Sequence, residues 1–96
     1  MNQEAVLDAL RVFKKEHAHE YALSNLGIFG SFARGEEKYE SDVDIVFTTA
    51  EPNLFRTACL KEDLETLLHR PVDIVRFRPT MNPYLKARIE RDAIYV

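Results

Sequence analysis

The stretch GSFARGEEKYESDVD, from Gly30 to Asp44, decides how this sequence is interpreted. Ten residues separate the pair Gly30-Ser31 from Asp42-Val43-Asp44, and each motif lies at the end of a predicted strand. Side chains two residues apart in a strand point to the same face, so Asp42 and Asp44 are predicted to lie side by side. Two such carboxylates repel each other unless a cation lies between them. The stretch therefore predicts a pair of metal-binding carboxylates beside a Gly-Ser turn.

The residue types of this motif indicate which metal and which ligand to expect. All-oxygen ligands favour Mg²⁺, with Mn²⁺ as an alternative, and Mg²⁺ commonly keeps waters and substrate phosphates among its ligands. Gly30 lets the backbone approach an anion closely, and Ser31 offers a hydroxyl at the start of a helical turn. Arg34 either reaches a phosphate or pairs with Glu36 or Glu37, and the sequence slightly favours a structural or supporting role. The motif therefore predicts binding of a nucleotide polyphosphate together with a metal.

A third aspartate, Asp73, lies within the run Val72-Asp73-Ile74-Val75. This run is rich in β-branched residues, which predicts a central strand. If that strand neighbours the strand of Asp44, Asp73 either binds one metal ion or accepts a proton from an attacking hydroxyl. The adjacency is an assumption at this stage. With it, Asp42, Asp44 and Asp73 form the predicted catalytic and metal-binding set for two Mg²⁺ ions.

Hydrophobic periodicity predicts helices and strands in alternation along the chain. The fold class expected is α+β with α/β-like alternation, in which helices pack on a small sheet. Periodicity leaves the strand directions open. The predicted elements are a helix from about Gln3 to about His17, strand Ala22 to Phe29, a helical turn Ser31 to Arg34 ended by a left-handed Gly35, a loop Glu36 to Ser41, a strand around Val43 to Phe47, a helix with N-cap Asn53 and a stripe from Leu54 to Leu68 closed by His69, a strand from Pro71, a helix from Pro83 with N-cap Asn82, and strand Ile94 to Val96.

Length and composition limit the class of protein. The chain has 96 residues, of which 46% are hydrophobic and 30% charged, so one folded domain spanning residues 1–96 is expected. Its single cysteine, Cys59, has no partner for a disulfide, which fits a reducing cytoplasm. No apolar run approaches the length of a membrane span, so no membrane association is expected. These features predict a cytoplasmic protein.

The net charge of −3 argues against strong direct binding to nucleic acid. Basic residues are nevertheless concentrated near the end of the chain, with five of them against the single acidic Glu90 between residues 76 and 91. The favoured interpretation is a solvated helix face, and the alternative is a surface for phosphates or an acidic partner. The five are Arg76, Arg78, Lys86, Arg88 and Arg91.

The run from Gly27 to Gly35, followed by Ser41 to Ile45, resembles the signature of MNT-type minimal nucleotidyltransferases of the polymerase-β-like superfamily. The resemblance extends over nearly the whole chain, because residues 67–75 resemble the segment that carries the family's third carboxylate and Ala93-Ile94-Tyr95 its usual ending. It implies a small mixed sheet of about four strands with helices packed on it. It also implies that His69 replaces a glycine as a cap variant without catalytic meaning.

By the same resemblance, Gly30 and Ser31 hold the triphosphate, Asp42 and Asp44 hold the metals, and Asp73 is the third carboxylate. Family members are often antitoxins paired with a HEPN-domain RNase toxin, and some resemble enzymes that transfer AMP from ATP to a toxin tyrosine. The resemblance thus implies ATP or another NTP as substrate. It further implies a HEPN-domain protein as partner, in a hetero-oligomer.

Two hypotheses for the function follow. The first is a Mg²⁺-dependent nucleotidyltransferase that moves an NMP, AMP in the favoured case, to a hydroxyl of a partner protein. The second is a non-catalytic antitoxin that blocks a HEPN RNase by binding it. The intact carboxylates favour the first hypothesis, because clustered buried charge is costly in a purely steric module. Transfer to a small molecule or an RNA end is a weaker third possibility, since a short chain has little surface to hold such an acceptor.

Overall fold

A computed structural model gives the structure of residues 1–38 and 41–96. Tyr39 and Glu40, part of the predicted loop, lie outside the described residues. The chain alternates between helices and strands as predicted. The elements are α1 (Gln3–His17), β1 (Leu23–Phe29), α2 (Gly30–Arg34), β2 (Val43–Thr49), α3 (Leu54–Leu68), β3 (Val72–Arg76), α4 (Pro83–Asp92) and β4 (Ile94–Tyr95).

Local signals in the sequence set the ends of the helices. Asn53 and Asn82 cap α3 and α4, and each side chain accepts hydrogen bonds from backbone N–H groups of the first helical turn. The carboxyl ends of α2 and α3 lie at Gly35 and His69, which both adopt the left-handed conformation with φ of 71° and 55°. The predicted capping roles of these four residues are confirmed.

The four strands form one mixed sheet in the order β3-β2-β1-β4. β1 runs antiparallel to β2 and to β4, whereas β2 and β3 are parallel. The mixed sheet implied by the family resemblance is confirmed. The prediction of a central strand around Asp73 is wrong, because β3 lies at the sheet edge. β-Branched residues indicate a strand with a packed face, and they carry no information about how many strands neighbour it.

The two faces of the sheet are covered by different helices. Helices α1 and α3 pack on one face through residues such as Leu10 and Leu60, and α4 packs on the other through Ile89 against Phe29 and Val46. The strand alternation places the side chains of Asp44 and Asp73 on the α4 face. This thinly covered face is therefore the side of the sheet that carries the predicted site.

The predicted apolar stripe of α3 is correct only in part. Leu60, Leu64 and Leu68 are buried, but Leu54 is 91% exposed and Leu67 is 38% exposed. These two leucines fall outside the stripe, because α3 contacts the rest of the protein along one narrow line. No helix within the described residues is long and apolar enough to cross a membrane.

Candidate active site

The Gly-Ser turn and the carboxylate of Asp44 meet where β1 ends. Phe29, the last residue of β1, is the register partner of Asp44 on β2. The chain then turns into α2 at Gly30, whose φ of 70° is in the left-handed region. A Cβ atom placed on Gly30 would lie 2.1 Å from Oδ2 of Asp44. Glycine is therefore required at this position both by the backbone conformation and by the proximity of the carboxylate.

Asp73 lies beside Asp44 on the neighbouring strand. The two residues are Cα register partners in the parallel pair of β2 and β3. Adjacent strands are about 4.8 Å apart, and partnered residues point to the same face, so the two carboxylates share one side of the sheet. The adjacency assumed from the sequence is thus confirmed.

Asp42 occupies a different environment from that predicted. It precedes β2 by one residue, and its side chain is exposed, as is that of Asp73. Of the three predicted carboxylates, only Asp44 is half-buried. The expected cost of several buried carboxylates therefore falls mainly on Asp44. The other two lie at the rim, where solvent reaches them.

The electrostatics of Asp44 reflect this position. Burial is the largest cause that raises its pKa above the usual value, and the negative charge of Asp73 is the next. Asp42 acts in the same direction, whereas the positive charges of Arg88 and Arg34 lower the pKa. The charges of Asp73 and Asp42 therefore both act on Asp44, and two arginines oppose that effect.

The donor set fits a hard divalent cation. A cation beside Asp44 would relieve the repulsion among three carboxylates, and carboxylate oxygens are the ligands that Mg²⁺ prefers. Within residues 1–38 and 41–96, no three His, Cys, Asp or Glu side chains are gathered closely enough to hold a metal ion. Mg²⁺ commonly uses only one or two carboxylates and completes its shell with waters and substrate phosphates.

Helix α2 is fixed in place by a side chain from the start of the chain. Nε2 of Gln3 donates hydrogen bonds to the backbone oxygens of Phe32 and Ala33, at 3.0 and 2.9 Å. Phe32 is itself fully buried in the main core. These contacts hold the short helix, and with it Gly30 and the half-buried Ser31, against the sheet.

Arg34, at the end of α2, pairs with one predicted partner and one unpredicted one. Its Nε lies 3.2 Å from Oε2 of Glu36, and its Nη1 lies 2.8 Å from Oδ2 of Asp92. Glu36 was one of two glutamates considered from the sequence, whereas Asp92 was missed. The sequence carries no signal for this contact, because 58 residues separate the two partners. Arg88 was noted only as one of five basic residues.

Comparison with known proteins agrees with this geometry. Residues 10–96 match the family model of the nucleotidyltransferase domain. A candidate protein adenylyltransferase of Methanocaldococcus jannaschii is 38% identical over 95% of this chain and 94% of its own length. The protein adenylyltransferase MntA of Thermococcus cleftensis is 35% identical over 97% of this chain and 94% of its own length.

Solved structures show the same architecture. A candidate minimal nucleotidyltransferase is similar with a TM-score of 0.79 and 35% identity, covering 98% of this chain and 95% of that one. A chain in the structure of a tri-AMPylated HEPN toxin of Shewanella oneidensis in complex with an MNT antitoxin has the same fold. The TM-score is 0.67 at 18% identity, and the match covers 97% of this chain and 70% of the other chain. The relationship expected from the Gly-Ser and Asp-x-Asp motifs is confirmed, and the chain belongs to the nucleotidyltransferase domain family.

Proposed function

We propose that this protein is a Mg²⁺-dependent enzyme that transfers AMP from ATP to a hydroxyl group of a partner protein. We further propose that the partner is a HEPN toxin, which the transfer neutralises, so that the protein acts as an antitoxin. The observation that carries the proposal is the juxtaposition of Asp44 with both Gly30 and Asp73. It supports a pair of neighbouring carboxylates, Asp44 and Asp73, next to a Gly-Ser turn suited to a polyphosphate.

Each predicted residue has a role in this proposal. Asp42 and Asp44 hold the metal ions, and Asp73 either binds one ion or accepts the proton of the attacking hydroxyl. Bound Mg²⁺ would neutralise charge on the transferred and leaving phosphate oxygens. Asp44 is oriented by β2 and by its contact with Gly30, so its carboxylate needs little rearrangement before catalysis.

The phosphate groups are assigned to the turn at the start of α2. Gly30, which is itself buried, has no side chain to block a phosphate, and the half-buried Ser31 offers its hydroxyl within the same turn. Arg34 contributes positive charge near Asp44, as its effect on the pKa of that residue indicates. The nucleotide would thus meet positive charge and hydrogen-bond donors on one side and metal-bound carboxylates on the other.

The choice of a protein as acceptor rests on similarity to named relatives. The relative from Thermococcus cleftensis carries the name protein adenylyltransferase. The structure with the AMPylated HEPN toxin has the same fold at 18% identity, so the partner class is our proposal and not a property of the fold.

The decisive experiment is a label-transfer assay. The protein is incubated with a HEPN-domain partner, Mg²⁺ and each of the four NTPs labelled at the α-phosphate. We expect label from ATP to appear on the partner with wild type, and to fall by about 10²-fold or more with Asp42→Asn or Asp44→Asn, the scale on which loss of one electrostatic stabiliser slows an enzyme. Asp8→Asn is the matched control, because Asp8 is exposed on α1, on the opposite face of the sheet.

Toxin neutralisation is measured with the same variants. If Asp42→Asn and Asp44→Asn lose both label transfer and neutralisation, the enzymatic mechanism is supported. No transfer from any NTP by wild type, with neutralisation intact in Asp42→Asn and Asp44→Asn, would contradict it and support the alternative of a non-catalytic antitoxin that acts by binding.

A further inference from the structure

An ion pair between α2 and α4 links the helix that follows the Gly30-Ser31 turn to a segment far along the chain. Nη1 of Arg34 lies 2.8 Å from Oδ2 of Asp92, and 58 residues separate the two in sequence. The other partner of Arg34, Glu36, has a side chain that is 66% exposed, whereas that of Asp92 is only 5% exposed. Asp92 is therefore the more firmly fixed of the two partners.

Asp92 is itself held on its other side. Nε of Arg91 lies 2.8 Å from its Oδ1, and Nη2 of Arg91 lies 3.1 Å from its Oδ2. Asp92 is also the last residue of α4, which packs on the sheet through the buried Ile89. Hydrogen bonds from Arg91 and then from Arg34 lower the pKa of Asp92 to about 2, so this carboxylate stays charged at neutral pH.

Arg34 has remaining capacity for an anion. Its Nε and Nη1 contact the two carboxylates, and its Nη2 makes no hydrogen bond within the described part of the chain. Its location at the end of α2 puts it one helical turn after Gly30 and Ser31. A guanidinium held by a fixed carboxylate loses less conformational freedom when it binds a phosphate than one that moves freely in solvent.

We propose that Asp92 is a positioning residue that holds the Arg34 guanidinium beside the Gly30-Ser31 turn, ready to contact the polyphosphate of the incoming nucleotide. This inference rests on the proposed function. It assigns to Asp92 no contact with the substrate. Asp92 acts only through Arg34.

The test compares the steady-state kinetics of variants on the two sides of Asp92. Asp92→Asn is expected to raise KM for Mg²⁺-ATP about tenfold, with kcat changed less, since one charge-assisted hydrogen bond to Arg34 is weakened. Arg91→Gln is the matched control, because it breaks the other ion pair of Asp92 and leaves Arg34 in place. Because Asp92 stays anchored at the end of α4 and paired with Arg34, we expect KM to rise clearly less than in Asp92→Asn.

A double-variant cycle separates positioning from a general structural role. If Asp92 acts through Arg34, Asp92→Asn adds no further increase in KM in the background of Arg34→Ala. Equal effects of Asp92→Asn and Arg91→Gln, or additive effects in the cycle, would overturn the inference.

A second variant keeps the test valid if Asp92→Asn folds poorly. Arg34→Lys retains the charge at an exposed position but has a single ammonium group, which cannot reach a carboxylate and a phosphate as a guanidinium does. We expect the KM of Arg34→Lys to rise about as much as that of Asp92→Asn. A KM equal to that of wild type would overturn the inference. If wild type transfers no nucleotide at all, the proposed function fails and this inference with it. If wild type is active and the variants miss these expectations, only the inference fails.

Discussion

Gly30 and Asp44 are so close that the Cβ atom absent from glycine would lie 2.1 Å from Oδ2 of the carboxylate. The contact joins the two halves of the motif, the Gly-Ser turn after β1 and the Asp-x-Asp segment at the start of β2. It follows from the antiparallel register that pairs Phe29 with Asp44. Any side chain at position 30 must displace the carboxylate on which the site depends.

This contact gives a prediction with a control at the opposite end of the same helix. Gly30→Ala and Gly35→Ala both put a side chain on a residue with φ near 70°, which costs about 1–2 kcal/mol of stability in each case. Only at Gly30 does the new Cβ meet another atom, because nothing lies within 4 Å of a Cβ on Gly35. We expect both variants to be destabilised in chemical denaturation. Nucleotide transfer should be lost only in Gly30→Ala, and an equal loss in Gly35→Ala would contradict this explanation.

The raised pKa of Asp44 predicts an opposition between stability and function. A carboxyl group whose pKa is higher in the folded than in the unfolded protein destabilises the fold while it is ionised. We therefore expect Asp44→Asn to raise the metal-free unfolding temperature at pH 7. The difference should vanish as the pH falls below the unfolded value of 3.8, where the wild-type group is protonated in both states.

Addition of Mg²⁺ provides the second half of that experiment. A ligand that binds only the folded state raises the unfolding temperature, so Mg²⁺ should stabilise wild type and have little effect on Asp44→Asn. Its effect on wild type should weaken as the pH falls through the raised pKa of Asp44, because protonation removes a ligand charge. Asp8→Asn serves as the control. An identical Mg²⁺ response in wild type and Asp44→Asn would show that Asp44 holds no metal.

Asp73 can be tested through its effect on its register partner. The charge of Asp73 raises the pKa of Asp44, so Asp73→Asn should lower it, as measured by carbon-detected NMR of the Asp44 carboxyl group. The same variant should reduce kcat by about 10²-fold or more if Asp73 accepts the proton or binds a metal ion. An unchanged kcat, with the expected fall in the pKa of Asp44, would leave Asp73 a neighbour of the site without a catalytic role.

His69 should be replaceable without loss of function. It caps α3 in the left-handed conformation with φ of 55°, where glycine is free of the steric penalty. We expect His69→Gly to stabilise the protein by about 0.5–1 kcal/mol in urea denaturation, with nucleotide transfer unchanged. His19→Gly is the matched control, because His19 is exposed in a turn without positive φ and should gain nothing. Destabilisation by His69→Gly would contradict the cap interpretation.

The sequence was most informative where short-range chemistry decides the structure. The caps at Asn53 and Asn82 and the left-handed ends at Gly35 and His69 depend only on neighbouring residues, and all four were predicted correctly. The Gly-Ser and Asp-x-Asp motifs were also recognisable, because the chemistry of phosphate and metal binding limits which residue types can be used.

Contacts between distant segments were decided by the tertiary structure. Asp73 was predicted to be in a central strand, yet β3 is at the edge, because strand composition does not encode the order of strands in a sheet. Leu54 is exposed at the start of α3, because the contact between α3 and the sheet does not extend to that residue. The helical period alone cannot specify how far the contact extends. The pairing of Arg34 with Asp92 requires α4 to pack beside α2, which no local pattern predicts.

The sequence by itself thus determined the elements, the motif and the family, because these depend on local conformation and on residue chemistry. Only the tertiary structure decided that Asp44 meets both Gly30 and Asp73, and that Asp92 holds Arg34. The physical reason is that strand register and helix packing are set by the burial of apolar residues across the whole sheet. The few polar side chains of the site take their positions from that packing.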